Sequence, residues 1–188
     1  MEKIKISFAI VGFGFCAFLV AFVLGSVLTM TTGIPLLGGL INGVFVAMIL
    51  TVGLLSIQRF GTATSMWFVF SLFCIFTTTL GPPGIYKVVI GLVAGFIWDI
   101  VYFGTRRSTV GLYLGAILGA ISIMVLLIFA LKLGLVANPG ETLRKYVNAI
   151  YAIVTINVIV TFLGVLLGHQ LFRNRLSKIQ MFRDLALK

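Results

Sequence analysis

Acidic side chains are nearly missing from this chain: Asp and Glu together number 4 in 188 residues, beside a single His and two Cys. So few carboxylates and imidazoles supply no proton-relay chain, and the hydropathy pattern holds no matched pair of interrupted helices. A carrier coupled to protons or sodium and working alone is therefore not expected. The one histidine, His169, falls at the inner edge of the last apolar run and reads as an interfacial residue rather than a catalyst. The sequence has no H-E-x-x-H, no grouped metal ligands, no exposed nucleophile elbow and no G-x-x-x-x-G-K-S/T loop. No catalysis, resident metal, cofactor or ATP hydrolysis by the chain itself is expected. Cys16 and Cys74 each lie inside an apolar run and form no C-x-x-C pair, so they read as small packing residues.

Charge of either sign is scarce as well. Charged residues make up 10% of the chain and apolar residues 61%, too little polar surface for a domain that meets water on all sides. The net charge of +10 would suggest nucleic acid in a soluble protein. Here Lys and Arg lie in the gaps between apolar runs, which fits anionic headgroups and topology signals instead. No nucleic-acid partner is expected.

Long apolar runs dominate what remains. A helix needs about 20 apolar residues to cross the hydrocarbon core. Six segments meet or approach that length: 7–30, 35–57, 63–80, 86–103, 109–135 and 147–172. The first is too long for a cleavable signal core and reads as a span. The runs are continuous rather than alternating, which excludes an outer-membrane barrel pattern. The expected fold class is all-α, an integral membrane bundle of six transmembrane helices over residues 1–172. A basic amphipathic tail, 173–188, follows, with Leu176, Ile179, Phe182 and Leu185 spaced for one face of a surface helix.

A cytoplasmic N-terminus assigns every gap to a side. Ten basic residues (Lys3, Lys5, Arg59, Arg106, Arg107, Arg173, Arg175, Lys178, Arg183 and Lys188) then fall inside, and four (Lys87, Lys132, Arg144 and Lys145) outside. The bias places both termini in the cytoplasm. All four prolines, Pro35, Pro82, Pro83 and Pro139, fall in the three outer connections. With neighbouring glycines they specify rigid turns, so the outer face carries shaped loops of the kind that hold ligands. Tight turns that only join neighbouring helices account for the same residues.

Polar and aromatic residues near the outer ends are the candidates for ligand contact: Asn42, Tyr86, Lys87, Glu141, Arg144, Asn148 and Tyr151. Arg144, Asn148 and Tyr151 have helical spacing and share a face. Aromatic walls with a few placed polar groups are the usual chemistry of a small-molecule pocket, although a headgroup belt uses the same residues. Ionisable residues within the spans are few, and Asp99 stands out among them. Such a carboxylate faces a partner, a cavity or another protein, is protonated, or is met by Arg106 or Arg107, and a structural role is the expectation. Small residues recur every fourth position at Ala17, Ala21 and Gly25, at Gly91 and Gly95, at Gly111, Gly115 and Gly119, and at Gly164 and Gly168. These spacings allow close helix approach.

The stretch Gly81-Pro82-Pro83-Gly84-Ile85-Tyr86-Lys87-Val88-Val89-Ile90-Gly91-Leu92-Val93-Ala94-Gly95, with Asp99 after it, and the Gly33-Ile34-Pro35-Leu36-Leu37-Gly38-Gly39 loop carry a resemblance. Together with the six-helix pattern, they resemble the substrate-binding S component of energy-coupling factor (ECF) transporters over most of the chain. The resemblance implies a subunit of the prokaryotic cytoplasmic membrane that captures a vitamin or vitamin precursor from outside, with its outer loops as a lid. It also implies a transmembrane T component and two ATPase subunits as partners that drive release inward. The family's A-x-x-x-A docking motif is matched by Ala17 and Ala21 and extended by Gly25, which would make them partner-binding residues. The histidine-rich N-terminus of nickel and cobalt members is absent, so a metal substrate is not expected. A structural or assembly subunit of another membrane complex, or a small lone carrier, remains the alternative.

Overall fold

A computed structural model describes residues 2–32, 35–77, 83–135 and 139–179, with side chains for 4–27, 30–31, 42–77, 83–135 and 152–179. These residues form six α-helices: α1 (Glu2–Thr32), α2 (Pro35–Ile57), α3 (Thr62–Cys74), α4 (Tyr86–Gly104), α5 (Thr109–Lys132) and α6 (Pro139–Asn174). A 3-10 turn, Leu176–Lys178, follows α6, and no strand occurs among the described residues. The fold is all-helical. Four stretches are long and apolar enough to cross a bilayer: Ile4–Val27, Tyr86–Gly104, Thr109–Lys132 and Ala152–Lys178. Asn42–Ile57 and Thr62–Cys74 are shorter apolar helices.

Where the helix ends depart from the hydrophobic runs, local chemistry explains it. α5 stops at Lys132 instead of continuing to 135 because Gly134 takes a left-handed φ of 69°. The Leu135 N–H then reaches back to the Ala130 carbonyl at 3.1 Å and the Gly134 N–H to Leu131 at 3.2 Å, a glycine C-terminal cap. At the other end of α5, the Ser108 side chain accepts from the Gly111 N–H at 3.0 Å. Pro35 and Pro139 are the first residues of α2 and α6. Proline suits that position, where its missing N–H has no helical partner to lose. α2 therefore starts with its apolar run at Pro35, whereas α6 begins at Pro139, well before residue 147.

α3 departs most. Expected over 63–80, it ends at Cys74 after 13 residues, about 20 Å at 1.5 Å per residue. That is well short of the roughly 30 Å hydrocarbon core. Its last amides tighten onto nearer carbonyls, Ile75 N–H to Leu72 at 3.4 Å and Thr77 N–H to Cys74 at 3.1 Å. Of the expected tail, Arg173 and Asn174 end α6, Leu176–Lys178 form a 3-10 turn, and Ile179 is extended after it. Residues 180–188, which carry the rest of the expected amphipathic helix, lie outside the described residues.

The helices pack as a ring in the order α1, α2, α6, α5, α4 and α3, which returns to α1. Glycines set the approach. A Cβ on Gly164 would meet the Val44 carbonyl, and one on Gly168 would lie 2.7 Å from that of Met48. These contacts bring α6 parallel to α2. Gly91 and Gly95 face Trp67 and Thr64 across the antiparallel α3–α4 pair, and Gly115 and Gly119 face Trp98 and Ala94 across α4–α5. Apart from Gly111, which meets Thr105 and Ser108 in the α4–α5 turn, the repeated glycines of α4, α5 and α6 therefore pack against a helix of the same chain. Leu50, Leu54, Met66, Phe70, Leu112 and Val165 fill the interior. The outer surface keeps Phe8, Phe22, Val89, Val110, Val125 and Phe129 exposed, the side-chain chemistry of a lipid-facing belt.

Candidate functional site

The α3–α4 pair gathers three of the residues singled out in the sequence. Asp99, one turn before the end of α4, is fully buried. The Ala63 N–H donates to its Oδ1 at 3.2 Å, while the Thr64 N–H and hydroxyl both donate to Oδ2 at 2.8 and 2.6 Å. Ala63 and Thr64 belong to the first turn of α3, whose N–H groups have no intrahelical partner. The residue preceding α3, Gly61, has φ 87° and offers no side-chain cap. Asp99 therefore caps α3 from the neighbouring helix. A carboxylate at a helix N-terminus also meets the positive end of the helix dipole. Its oxygens are turned to α3, not to Arg106 or Arg107.

Lys87 does the reverse at the other end. It is fully buried in the first turn of α4, and its Nζ donates to the carbonyls of Cys74 and Thr77 at 2.9 and 2.5 Å. Cys74 is the last residue of α3, so an ammonium faces the negative end of the same dipole. Tyr86 is buried beside Lys87 and its ring lies against Gly84, where a Cβ would come within 2.6 Å of the ring. The Gly84 N–H donates to the Ile75 carbonyl at 2.9 Å and closes the turn. Of the expected Gly-Pro-Pro-Gly turn, Pro83 and Gly84 are described.

Asn42 belongs to a different pair of helices. It lies on α2 facing α1, 7% exposed, and its Nδ2 donates to the Ala21 carbonyl at 2.7 Å. Its Oδ1 has no hydrogen-bond partner; the only other such buried side-chain atoms among the described residues are Thr62 Oγ1 and Trp67 Nε1. A Cβ on Gly25 would stand 2.5 Å from Asn42 Nδ2, so glycine there leaves room for the amide. Ala17 and Ala21, expected to meet a partner subunit, are 0% and 1% exposed and packed inside the bundle. Docking through them requires α1 to part from its neighbours. Glu141, Arg144, Asn148 and Tyr151 lie on α6, and their side chains are outside the described residues. No group of three or more His, Cys, Asp or Glu occurs among the described residues.

The sequence reading did not anticipate the receiving ends of these contacts, Ala63, Thr64 and Cys74, nor the fit of Gly25 to Asn42. A signal for the first was present, since a short third run flanked by a helix carrying one Lys and one Asp asks for caps at both ends. No family model matches the chain, and no curated protein or solved structure matches it.

Proposed function

We propose that the chain is the substrate-capture subunit of an ECF-type importer. In this reading its six helices cross the prokaryotic cytoplasmic membrane with both termini in the cytoplasm. It takes a vitamin or vitamin-precursor-like small molecule from outside and hands it inward with a T component and two ATPase subunits. The observation that carries the reading is Asn42: a buried amide oxygen left without a donor, in a bundle whose other polar side chains are mostly bonded. Buried acceptors are ordinarily paired, so a ligand with an N–H or O–H group is the natural complement. Glu141, Arg144, Asn148 and Tyr151 complete the ligand set as proposed contacts. Tyr86 and Lys87 hold the floor of the outer loop rather than touching the ligand, because the Lys87 ammonium is committed to α3.

The absence of an ATP-binding loop in the sequence fits a division of labour with separate ATPases. With Ala17 and Ala21 inside the bundle, the T component meets α1 on its exposed face of Phe8, Val11, Phe15 and Leu19. Purification of the tagged chain from its own membranes in mild detergent tests the proposal. A T component, ATPases and a retained small molecule are expected to accompany it. A bare chain with neither ligand nor ATPase contradicts it.

A further inference from the structure

Three non-glycine residues among those described hold a positive φ: Gln58 at 49°, Arg106 at 55° and Arg107 at 59°. All three lie in the α2–α3 and α4–α5 turns, at one end of the bundle. Left-handed backbone is unfavourable for an ordinary side chain and nearly free for glycine. Two successive arginines thus hold a conformation that glycine would adopt more easily. The turn itself is made by the backbone: the Arg106 N–H donates to Phe103 at 3.1 Å and the Arg107 N–H to Tyr102 at 2.8 Å.

The two turns are joined by aromatic rings. Phe60, next to Arg59, meets Phe96 edge-on at 6.3 Å and Phe103 at 5.7 Å. The Arg107 guanidinium lies over the Phe103 ring at 5.1 Å. Phe60, Phe96 and Ile100 are 59%, 48% and 47% exposed, so an apolar strip runs along α4 and ends beneath the exposed Arg106 and Arg107. Asp99 is the one acidic side chain described, and its oxygens are bonded to α3. The patch thus presents cationic groups directly above an exposed apolar surface, a pairing that matches a phosphate headgroup above an acyl chain.

We infer that this end of the bundle is a binding site for an anionic phospholipid, with Arg106 and Arg107 holding the headgroup and Phe60, Phe96 and Ile100 against the chain. The inference rests on the bilayer-crossing part of the proposed function. Each basic residue beside an anionic surface contributes about a fivefold gain in binding. The test is native mass spectrometry of the full chain delipidated in detergent and then titrated with phosphatidylglycerol or phosphatidylcholine. The key variant is Arg106→Asn/Arg107→Asn, which removes both charges with a residue that accepts a positive φ more readily. Lys132→Gln, in the last turn of α5, is the control.

Wild type and Lys132→Gln are expected to retain phosphatidylglycerol in preference to phosphatidylcholine. The double variant should lose that preference by about 25-fold, two fivefold steps, with its melting temperature maintained. Equal retention of the two lipids by wild type, or undiminished phosphatidylglycerol binding by the double variant, overturns the inference. Undiminished lipid binding with loss of a co-purifying acidic protein overturns it in favour of a protein-docking surface. Membrane integration is read separately: a chain that leaves the membrane fraction at alkaline pH contradicts the bilayer reading itself, whatever the lipid result.

Discussion

Lys87 and Asp99, about 18 Å apart along α4 at 1.5 Å per residue, bind opposite ends of the same neighbouring helix. The lysine takes the carbonyls at the end of α3 and the aspartate takes the amides at its start. The sign at each end complements the helix dipole. The spacing matches the 13 residues of α3. The end groups of α3 are thus satisfied by side chains of α4 inside the bundle, where an unsatisfied buried polar group is costly.

Asp99→Asn is expected to destabilise the chain by about 2–3 kcal/mol, because an amide loses the charge and turns an NH2 toward the donors of Ala63 or Thr64. Denaturation in detergent followed by circular dichroism checks this. A change within about 0.5 kcal/mol, the range of ordinary surface substitutions, would place the capping role in error.

Lys87→Met keeps most of the side-chain volume and removes the donor to Cys74 and Thr77. Alone it is expected to cost about 2 kcal/mol. Combined with Asp99→Asn the two losses should fall short of additive by more than about 0.5 kcal/mol, since α3 frays as a unit once either end is freed. Strict additivity would mean that the two ends act independently.

Gly95→Ala should be severe, because its Cβ would lie 2.6 Å from Thr64 Cα and 2.8 Å from the Ala63 carbonyl, both backbone. A loss of about 1–3 kcal/mol is expected from overpacking, with weaker protection of the Thr64 amide in hydrogen exchange. Gly12→Ala meets nothing within 4 Å and should instead gain up to about 1 kcal/mol from helix propensity.

Gly25→Ala should cost about 1–3 kcal/mol in wild type by pressing on the Asn42 amide. In an Asn42→Ala background the clash is gone, and the same substitution should become neutral or favourable. The thermal melts of the four-member cycle give the answer, and a penalty unchanged by Asn42→Ala would show that the crowding has another source.

The six helices were legible because apolar run length is a property of consecutive residues. Their order in a ring was not, since Gly164 meeting Val44 and Gly95 meeting Thr64 are contacts between distant positions. The length of α3 was misjudged for a related reason. Its run continues in composition through residue 80, and what ends it lies partly on another helix, in the Lys87 ammonium beside Cys74. Asp99 could be recognised as a buried charge needing a partner. That the partner is a helix terminus, not Arg106 or Arg107, depends on a register that spacing alone does not encode. Tyr86 and Lys87 follow a Pro-Gly turn, yet both are buried and Lys87 is held by the carbonyls of Cys74 and Thr77. Position along a span does not say which way a side chain turns.

Ligand retention that depends on Asn42 tests the proposed function most directly. Native mass spectrometry would compare wild type and Asn42→Leu, each purified from its own host's membranes and each with a cooperative thermal melt. The expected result is a small-molecule adduct on wild type that is absent from Asn42→Leu. A wild-type chain carrying no adduct, or an adduct equally abundant on a folded Asn42→Leu chain, would contradict capture at this amide.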